Sequence, residues 1–507
     1  ATARQSEPMA TKRMLRTASL LMATVLPVPL GITAAQASPS AGAGDLGDRL
    51  FPGLGNGGYD AQSYDVSLDY KAGTTKMPGA VTMRAVATQS LTRFGLDSAG
   101  QRIGSVTVDG RPARYKLVGE KLTITPSRTL YKHLPFTVRV VYTADRSQNP
   151  VPPGLNLPPG VANPFTVWNE TPDGFGVMGQ PNRAHVVFPS NDHPSDKAQY
   201  TIRITAPNGR TGIASGRLAA KYRHKATTTW VYRTAHPIKT DVVAIAVGTF
   251  RELKQTGPHG LPVRSYLSLA KFQGKSYTDA MQVNAIETPQ QLAWLEKQIG
   301  RPFPYEQYGV LGLSTVYDGV ALETAGLSTF GLPLSLPAKD EAGTLVHELT
   351  HQYFGDAVSV KTWDDMWISE GHARYYERKY DASRGFTDLN KELKDLYEAD
   401  QQSRHDSGPM GHLNSQLAVL FDTDVPGQLM LTGLDTIVGE QTFRRIEQTF
   451  FDRYRDRNAS TQDYIDTANE VSGRDLTQYF RAWIYGATTP PMPGHPDWHS
   501  TPVKAAK

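Results

Sequence analysis

The sequence predicts a multidomain α+β protein, with an N-terminal antiparallel β domain followed by a mainly helical domain that carries a small sheet. Three observations support this. At 507 residues the chain is longer than one hydrophobic core commonly organises. From about 59 to 250, apolar and polar residues alternate with the period of half-buried strands. Beyond about 263 the apolar period lengthens to that of helices.

Residues 1–37 read as a leader. Lys12, Arg13 and Arg16 precede an apolar stretch that ends in "AQA", the small-x-small pattern of a signal peptide cleaved near Ala37. Pro27 and Pro29 interrupt that stretch, which falls short of the ~20 residues a membrane-spanning helix needs, and no later segment approaches that length. The expectation is a secreted, extracellular protein without a membrane span. Residues 38–58 are rich in Gly, Ser and Pro and read as an irregular lead-in. Residues 59–254 form the β domain, with strands expected at "YDVSLDY", "AVTMRAVATQSL", "FTVRVVYTA", "QYTIRITAP" and "DVVAIAVGTF".

"ELKQTGPHGLPV" (252–263) marks the boundary, and residues 255–490 form the second domain. Helical spacing runs through "TDAMQVNAIETPQQLAWLEKQIG", "EAGTLVHELTHQYFG", "SEGHARYYERKYDAS" and several segments between 436 and 485. "YGVLGLST" and "GVALETAGLSTF" read as short strands, and 491–507 as a C-terminal tail.

Composition narrows the function. An apolar fraction of 39% and a charged fraction of 20% describe a globular protein. The formal charge is +4, of which the leader carries +3, so no broad basic surface remains for nucleic acid. There is no cysteine, which excludes disulfides, thiolate metal ligands and a cysteine nucleophile.

The chemistry is expected in "HELTH" (347–351). On a helix, His347 and His351 differ by about 40° around the axis, so both imidazoles project from one face and can meet one Zn²⁺. Glu348, about 100° away, can reach a water instead of the metal, which is where a general base belongs. Taken alone, the pattern also fits a polar helix face. Glu370, in "WISEG" on a following helical segment, follows His351 with eighteen residues between them and supplies a third ligand. Two His and one carboxylate leave a fourth tetrahedral position open, as in a catalytic zinc site. The plain alternative is a first-turn glutamate favoured by the helix dipole.

Together, "HELTH" and the Glu of "WISEG" resemble the gluzincin aminopeptidase family typified by aminopeptidase N, as a short secreted bacterial member. The likeness extends from about 50 to 490 through "QPNRAHVVFPSNDHPSDKAQYTI", "GVALETAG" and "LTQYFRAWIYGATTPP". It implies a saddle-like β domain followed by a thermolysin-like catalytic domain, one Zn²⁺ per chain and peptide substrates with a free N-terminus. It also implies a chain too short for the large C-terminal helical domain of longer relatives. Glu323 matches the family's amine-binding glutamate, Gln180 its acceptor in the β domain, and Ala321 a substrate-binding position.

The sequence departs from the family in two places. Val320 stands where a glycine lies against substrate, with Leu322 and Thr324 as neighbouring replacements. Asp424 stands where a tyrosine donates to the oxyanion, three residues before Gly427. Losing such a donor typically costs ~10²–10³ in turnover. His405 and His412 are substitutes to consider. Besides a zinc aminopeptidase, two readings therefore stay open: a catalytically weakened or inactive zinc-containing peptide-binding relative, and a thermolysin-type endopeptidase.

Overall fold

Alternation along the chain becomes a sheet with one buried and one wet face. In the strand Tyr59–Asp69, Tyr64, Val66 and Leu68 are buried. Asp65 and Ser67 turn to a polar groove shared with Thr82, Arg84, Arg139 and Arg203. The computed structural model describes residues 38–503 except 156, 158 and 317–320. The leader read at 1–37 and the substitution at Val320 lie outside the described residues.

This sheet has eight strands, in the order Arg217–Arg223, Thr227–Arg233, Gln199–Pro207, Tyr59–Asp69, Lys76–Ala87, Pro135–Asp145, Arg102–Val108 and Arg111–Pro112. Neighbours run antiparallel except Tyr59–Asp69 and Gln199–Pro207, which pair in parallel, Val66 facing Ile202. Two four-stranded sheets complete the β region. One contains Leu91–Asp97 and Lys121–Thr125, so "AVTMRAVATQSL" is divided between two sheets instead of forming one strand. The other contains Gly174–Val177 and Ile245–Gly248. "DVVAIAVGTF" is likewise interrupted, by a 3₁₀ turn at Thr240–Val242 before Ile245–Gly248.

The stretch read as the boundary is a hairpin. Phe250–Thr256 and Pro262–Ser268 pair antiparallel and open a five-stranded sheet that continues through Val310–Gly312, Ser328–Phe330 and Ala321–Leu322. Ten helices follow among the described residues: α1 (Thr278–Ala285), α2 (Thr288–Ile299), α3 (Ala338–His351), α4 (Trp367–Ser383), α5 (Leu389–Ser407), α6 (Gln416–Phe421), α7 (Asp424–Val438), α8 (Glu440–Tyr454), α9 (Thr461–Ser472) and α10 (Thr477–Tyr485). The single helical run expected over 278–300 is two helices. Pro289 starts the second, where its missing N–H has no bond to lose, and Gly300 ends it with φ 74°.

Helix α3 carries Asp340 and Glu341 in its first turn, where carboxylates suit the positive end of the helix dipole. The approach to α4 is fixed by a capping box, in which the Thr362 backbone N–H donates to Asp365 Oδ2 at 3.1 Å. Two further contacts tie this approach to a segment almost a hundred residues away. Val358–Val360 pairs in parallel with Arg457–Ala459, and the Thr461 backbone N–H donates to Asp365 Oδ1 at 2.8 Å.

Helices α4 and α7 cross at two glycines. A Cβ on Gly371 would stand 2.8 Å from the Gly427 Cα, too close for any side chain. Gly371 follows Glu370 directly, so the spacing of these helices sets where that carboxylate lies. Gly427→Ala is expected to destabilise the protein by about 1–3 kcal/mol through overpacking and to weaken zinc binding with it. Thermal denaturation and zinc titration measure both; a variant matching the parent in both would show that the crossing tolerates a methyl group.

Candidate metal centre and substrate pocket

Consecutive turns of α3 bring His347 and His351 together with ring centroids 4.7 Å apart. The first turn of α4 brings Glu370 to them. Glu370 Oε2 lies 3.3 Å from His347 Nε2 and 3.4 Å from His351 Nε2. Two ligands at ~2.0–2.1 Å from one zinc, subtending a tetrahedral angle, are about 3.3–3.4 Å apart. The three atoms therefore fit a zinc ion.

The other imidazole nitrogens are engaged. His347 Nδ1 lies 2.9 Å from Glu377 Oε2, and His351 Nδ1 lies 2.9 Å from Ser369 Oγ. With Nδ1–H donating to these partners, each Nε2 presents its lone pair to the shared point, the tautomer a metal requires. Burial opposes charge on His347, but Glu370 and Glu377 outweigh it and hold the imidazole well above its usual pKa. Burial works against ionised Glu377 too; His347 and Arg374 overcome it and bring the carboxyl down to about 2. Protons and a divalent cation thus compete for the same nitrogens. Gly355, with φ 133°, gives this arrangement room. A Cβ there would collide with Ser369 Oγ and stand 3.2 Å from His351 Nδ1.

Glu348 is 6% exposed, and its Oε2 has no hydrogen-bond partner. Burial pushes its carboxyl up to about 8 against the opposing pull of His347 and His351. Within 4.8 Å of one another lie a carboxylate oxygen of Glu348, one of Glu323 and a ring nitrogen of His351. Glu323 Oε1 accepts from Gln180 Nε2 at 2.6 Å, so these two sequence-predicted residues, 143 positions apart, meet. Gln352, one residue past α3, anchors the Glu323 loop. Its Nε2 donates to the Glu323 carbonyl at 3.0 Å and its Oε1 accepts from the Gly326 N–H at 2.7 Å. Ala321 lies half-buried in the edge strand of the five-stranded sheet, opposite Phe330.

Gln180 precedes a cis peptide bond to Pro181. An ionic cluster holds its loop. Arg183 donates to both Glu120 oxygens at 3.0 and 2.7 Å, and His185 Nδ1 lies 2.6 Å from Asp192 Oδ2. Burial opposes charge on His185, yet Asp192 and Glu120 raise its pKa to about 9.

Asp424 opens α7 with its carboxylate 3.9 Å from Arg374 Nε. Burial raises its pKa against the pull of Arg374, and the Glu370 charge raises it further. His405 is 60% exposed beside Asp406, and His412 is exposed in the loop after α5. Neither belongs to the buried group around Glu370.

The matched family model, "Peptidase family M1 domain", spans residues 284–483, which include all three ligand positions and Glu348. The M1 zinc metallopeptidase of Deinococcus radiodurans superposes with TM-score 0.75 and 29% identity over 88% of this chain and 99% of that one. The chain carries a zinc metallopeptidase domain of family M1 at residues 284–483. Zinc is accordingly the metal its His-His-Glu group is built for. The N-terminal β and C-terminal helical halves match those of the Deinococcus M1 fold. Aminopeptidase N of Streptomyces lividans is 28% identical over 327 residues, 59% of this chain and 36% of the relative. Leucyl aminopeptidase of Saccharolobus solfataricus is 24% identical over 346 residues, 64% of this chain and 42% of the relative. The M1 chain spans about a third to a half of the length of the curated relatives it matches.

Sequence reasoning missed Glu377, Ser369, Gln352 and Arg374. A signal existed for Glu377, seven residues after Glu370 and so two turns along the same face of α4. Glu377→Gln is expected to weaken zinc binding about 10–100-fold, the usual effect of losing a carboxylate behind a ligating histidine. Titration against a competing chelator reads this directly, and unchanged affinity would deny Glu377 that role.

Proposed function

We propose that this chain is an exported zinc-dependent aminopeptidase that removes N-terminal residues from peptides with a free α-amine. The observation that carries this reading is Glu323, bonded to Gln180 and set within 4.8 Å of Glu348 and His351. A hydrolytic site with an anionic anchor one residue's reach away selects a chain end over a chain middle. Export rests on the leader read at 1–37, and a mature chain beginning at Ser38 is its readout.

Zinc held by His347, His351 and Glu370 would polarise the scissile carbonyl and activate water. Glu348 takes a proton from the attacking water and delivers it to the leaving amine nitrogen, and its buried Oε2 without a hydrogen-bond partner suits a group that must carry a proton between two steps. Glu323 accepts from the substrate ammonium, and the Gln180 side-chain oxygen offers a second acceptor. The Ala321 strand, at the open edge of its sheet, can pair with the extended backbone of the substrate. A variant of the Deinococcus neighbour has been solved with a Tyr-Ser-Ala substrate, which supports a short free-amine peptide as ligand.

One observation favours a second reading, that of a weakened or inactive zinc-containing relative. Asp424 is an acceptor where an oxyanion donor is expected, and its negative charge opposes the one that develops on the substrate. The Arg374 Nε is buried without a hydrogen-bond partner, one helical turn beyond Glu370 and beside Asp424, so a donor is at hand. A thermolysin-type endopeptidase would instead cleave N-blocked peptides as readily as free ones.

Aminoacyl-p-nitroanilides and N-blocked peptides, each with and without chelator, separate the three. Chelator-sensitive turnover of the free-amine substrates alone supports the aminopeptidase. Glu348→Gln should abolish turnover while zinc stays bound, and appreciable residual hydrolysis would remove Glu348 as the base. Glu323→Ala should raise KM for free-amine substrates. An unchanged KM would reject the amine anchor.

A further inference from the structure

A buried lysine lies against the amine anchor. Lys239 is 1% exposed, and its Nζ stands 3.0 Å from Asp241 Oδ2 and 3.6 Å from Glu323 Oε1. The same Glu323 oxygen accepts from Gln180 Nε2 at 2.6 Å. Both contacts thus fall on Oε1 and leave Oε2 outside them. The backbone around Lys239 is fixed on this loop. Thr240 Oγ1 donates to Asp192 Oδ1 at 2.6 Å, and the Ala325 N–H donates to the Val242 carbonyl at 2.8 Å. The 239–242 segment of the β region is therefore docked on the loop that carries Glu323.

Burying such a pair is costly, and a buried ion pair is often no more stabilising than apolar residues of similar volume. Its location against Glu323 consequently needs a reason besides stability. A lone lysine would cancel the anchor's negative charge. Asp241, 3.0 Å from the same ammonium, offsets it, so that the Lys239–Asp241 pair sets no net charge against Glu323.

We propose that Lys239 is a positioning residue of the substrate pocket: with Gln180 it pins Glu323 Oε1, leaving Oε2 to meet the substrate amine, while Asp241 keeps the pocket anionic. The proposal rests on the amine-anchor reading above. Neither residue touches the metal ligands or the reacting carbonyl, so the effect belongs in substrate binding.

The test is a double-mutant cycle on the zinc-loaded protein with alanyl- and leucyl-p-nitroanilide. Lys239→Met/Asp241→Asn removes both charges, so no unpaired ion is left buried. It should raise KM about tenfold and leave kcat within about twofold, a size common for groups in contact. In the Glu323→Ala background the same pair of changes should add nothing. An unchanged or lower KM, or an equal rise in that background, overturns the proposal; a lower KM would mean that Lys239 competes with the substrate amine. If Glu323→Ala alone leaves KM unchanged, it is the amine anchor that has failed, and this outcome is distinct. Should the double variant not fold, Lys239→Arg enters the same cycle. It keeps the charge but alters the reach to Oε1, so a KM rise confined to the Glu323 background supports the proposal and none overturns it.

Discussion

The meeting of three ligand atoms from two helices is the constraint on which the rest of the molecule depends. His347 and His351 come from consecutive turns of one helix and need only that helix to exist. Glu370 comes from another, and a shift of one ångström would take its oxygen out of range of both nitrogens. The fold supplies the tolerance at Gly371–Gly427, where α4 and α7 touch backbone to backbone. Gly355 supplies it again, where the chain leaving α3 passes beneath Ser369 and His351. Small residues at these points let polar groups, not bulk, decide the positions of the ligands.

The β region is more than a scaffold alongside the metal centre. It provides Gln180 and Lys239, both against Glu323, and anchors the Gln180 loop by the ionic cluster of Arg183, His185, Glu120 and Asp192. Buried charge is tolerated there because each ion has a close partner. Under the proposed function, amine recognition and hydrolysis would be drawn from distant parts of the sequence, with the Glu323 side chain as their meeting point.

Much of this was legible in the sequence, for physical reasons. The alternation in "YDVSLDY" or "QYTIRITAP" survives because one sheet face is wet. The His347–Glu348–His351 spacing is legible because one helix generates it locally. The break between α1 and α2 went unread, because the apolar period runs through Pro289. What could not be read is tertiary. No local pattern links Lys239 to Glu323, or Arg374 to Asp424, because those contacts exist only once separate elements are packed. The strand expectation over 241–250 failed at its start for the same reason: Asp241 lies in the 3₁₀ turn Thr240–Val242, which is docked on the Glu323 loop.

The parallel pairing of Val358–Val360 with Arg457–Ala459, together with the bond from Thr461 to Asp365, has a consequence for biosynthesis. Domains tend to fold from the N-terminus as the chain leaves the ribosome. All eight strands of the largest sheet lie within the residues up to 233, so it can close once these have emerged. The approach to α4, and with it the carboxylate that completes the cation site, waits for a strand made about a hundred residues later. The growing polypeptide can therefore complete its largest sheet well before the cation site, whose supporting contacts extend to Thr461.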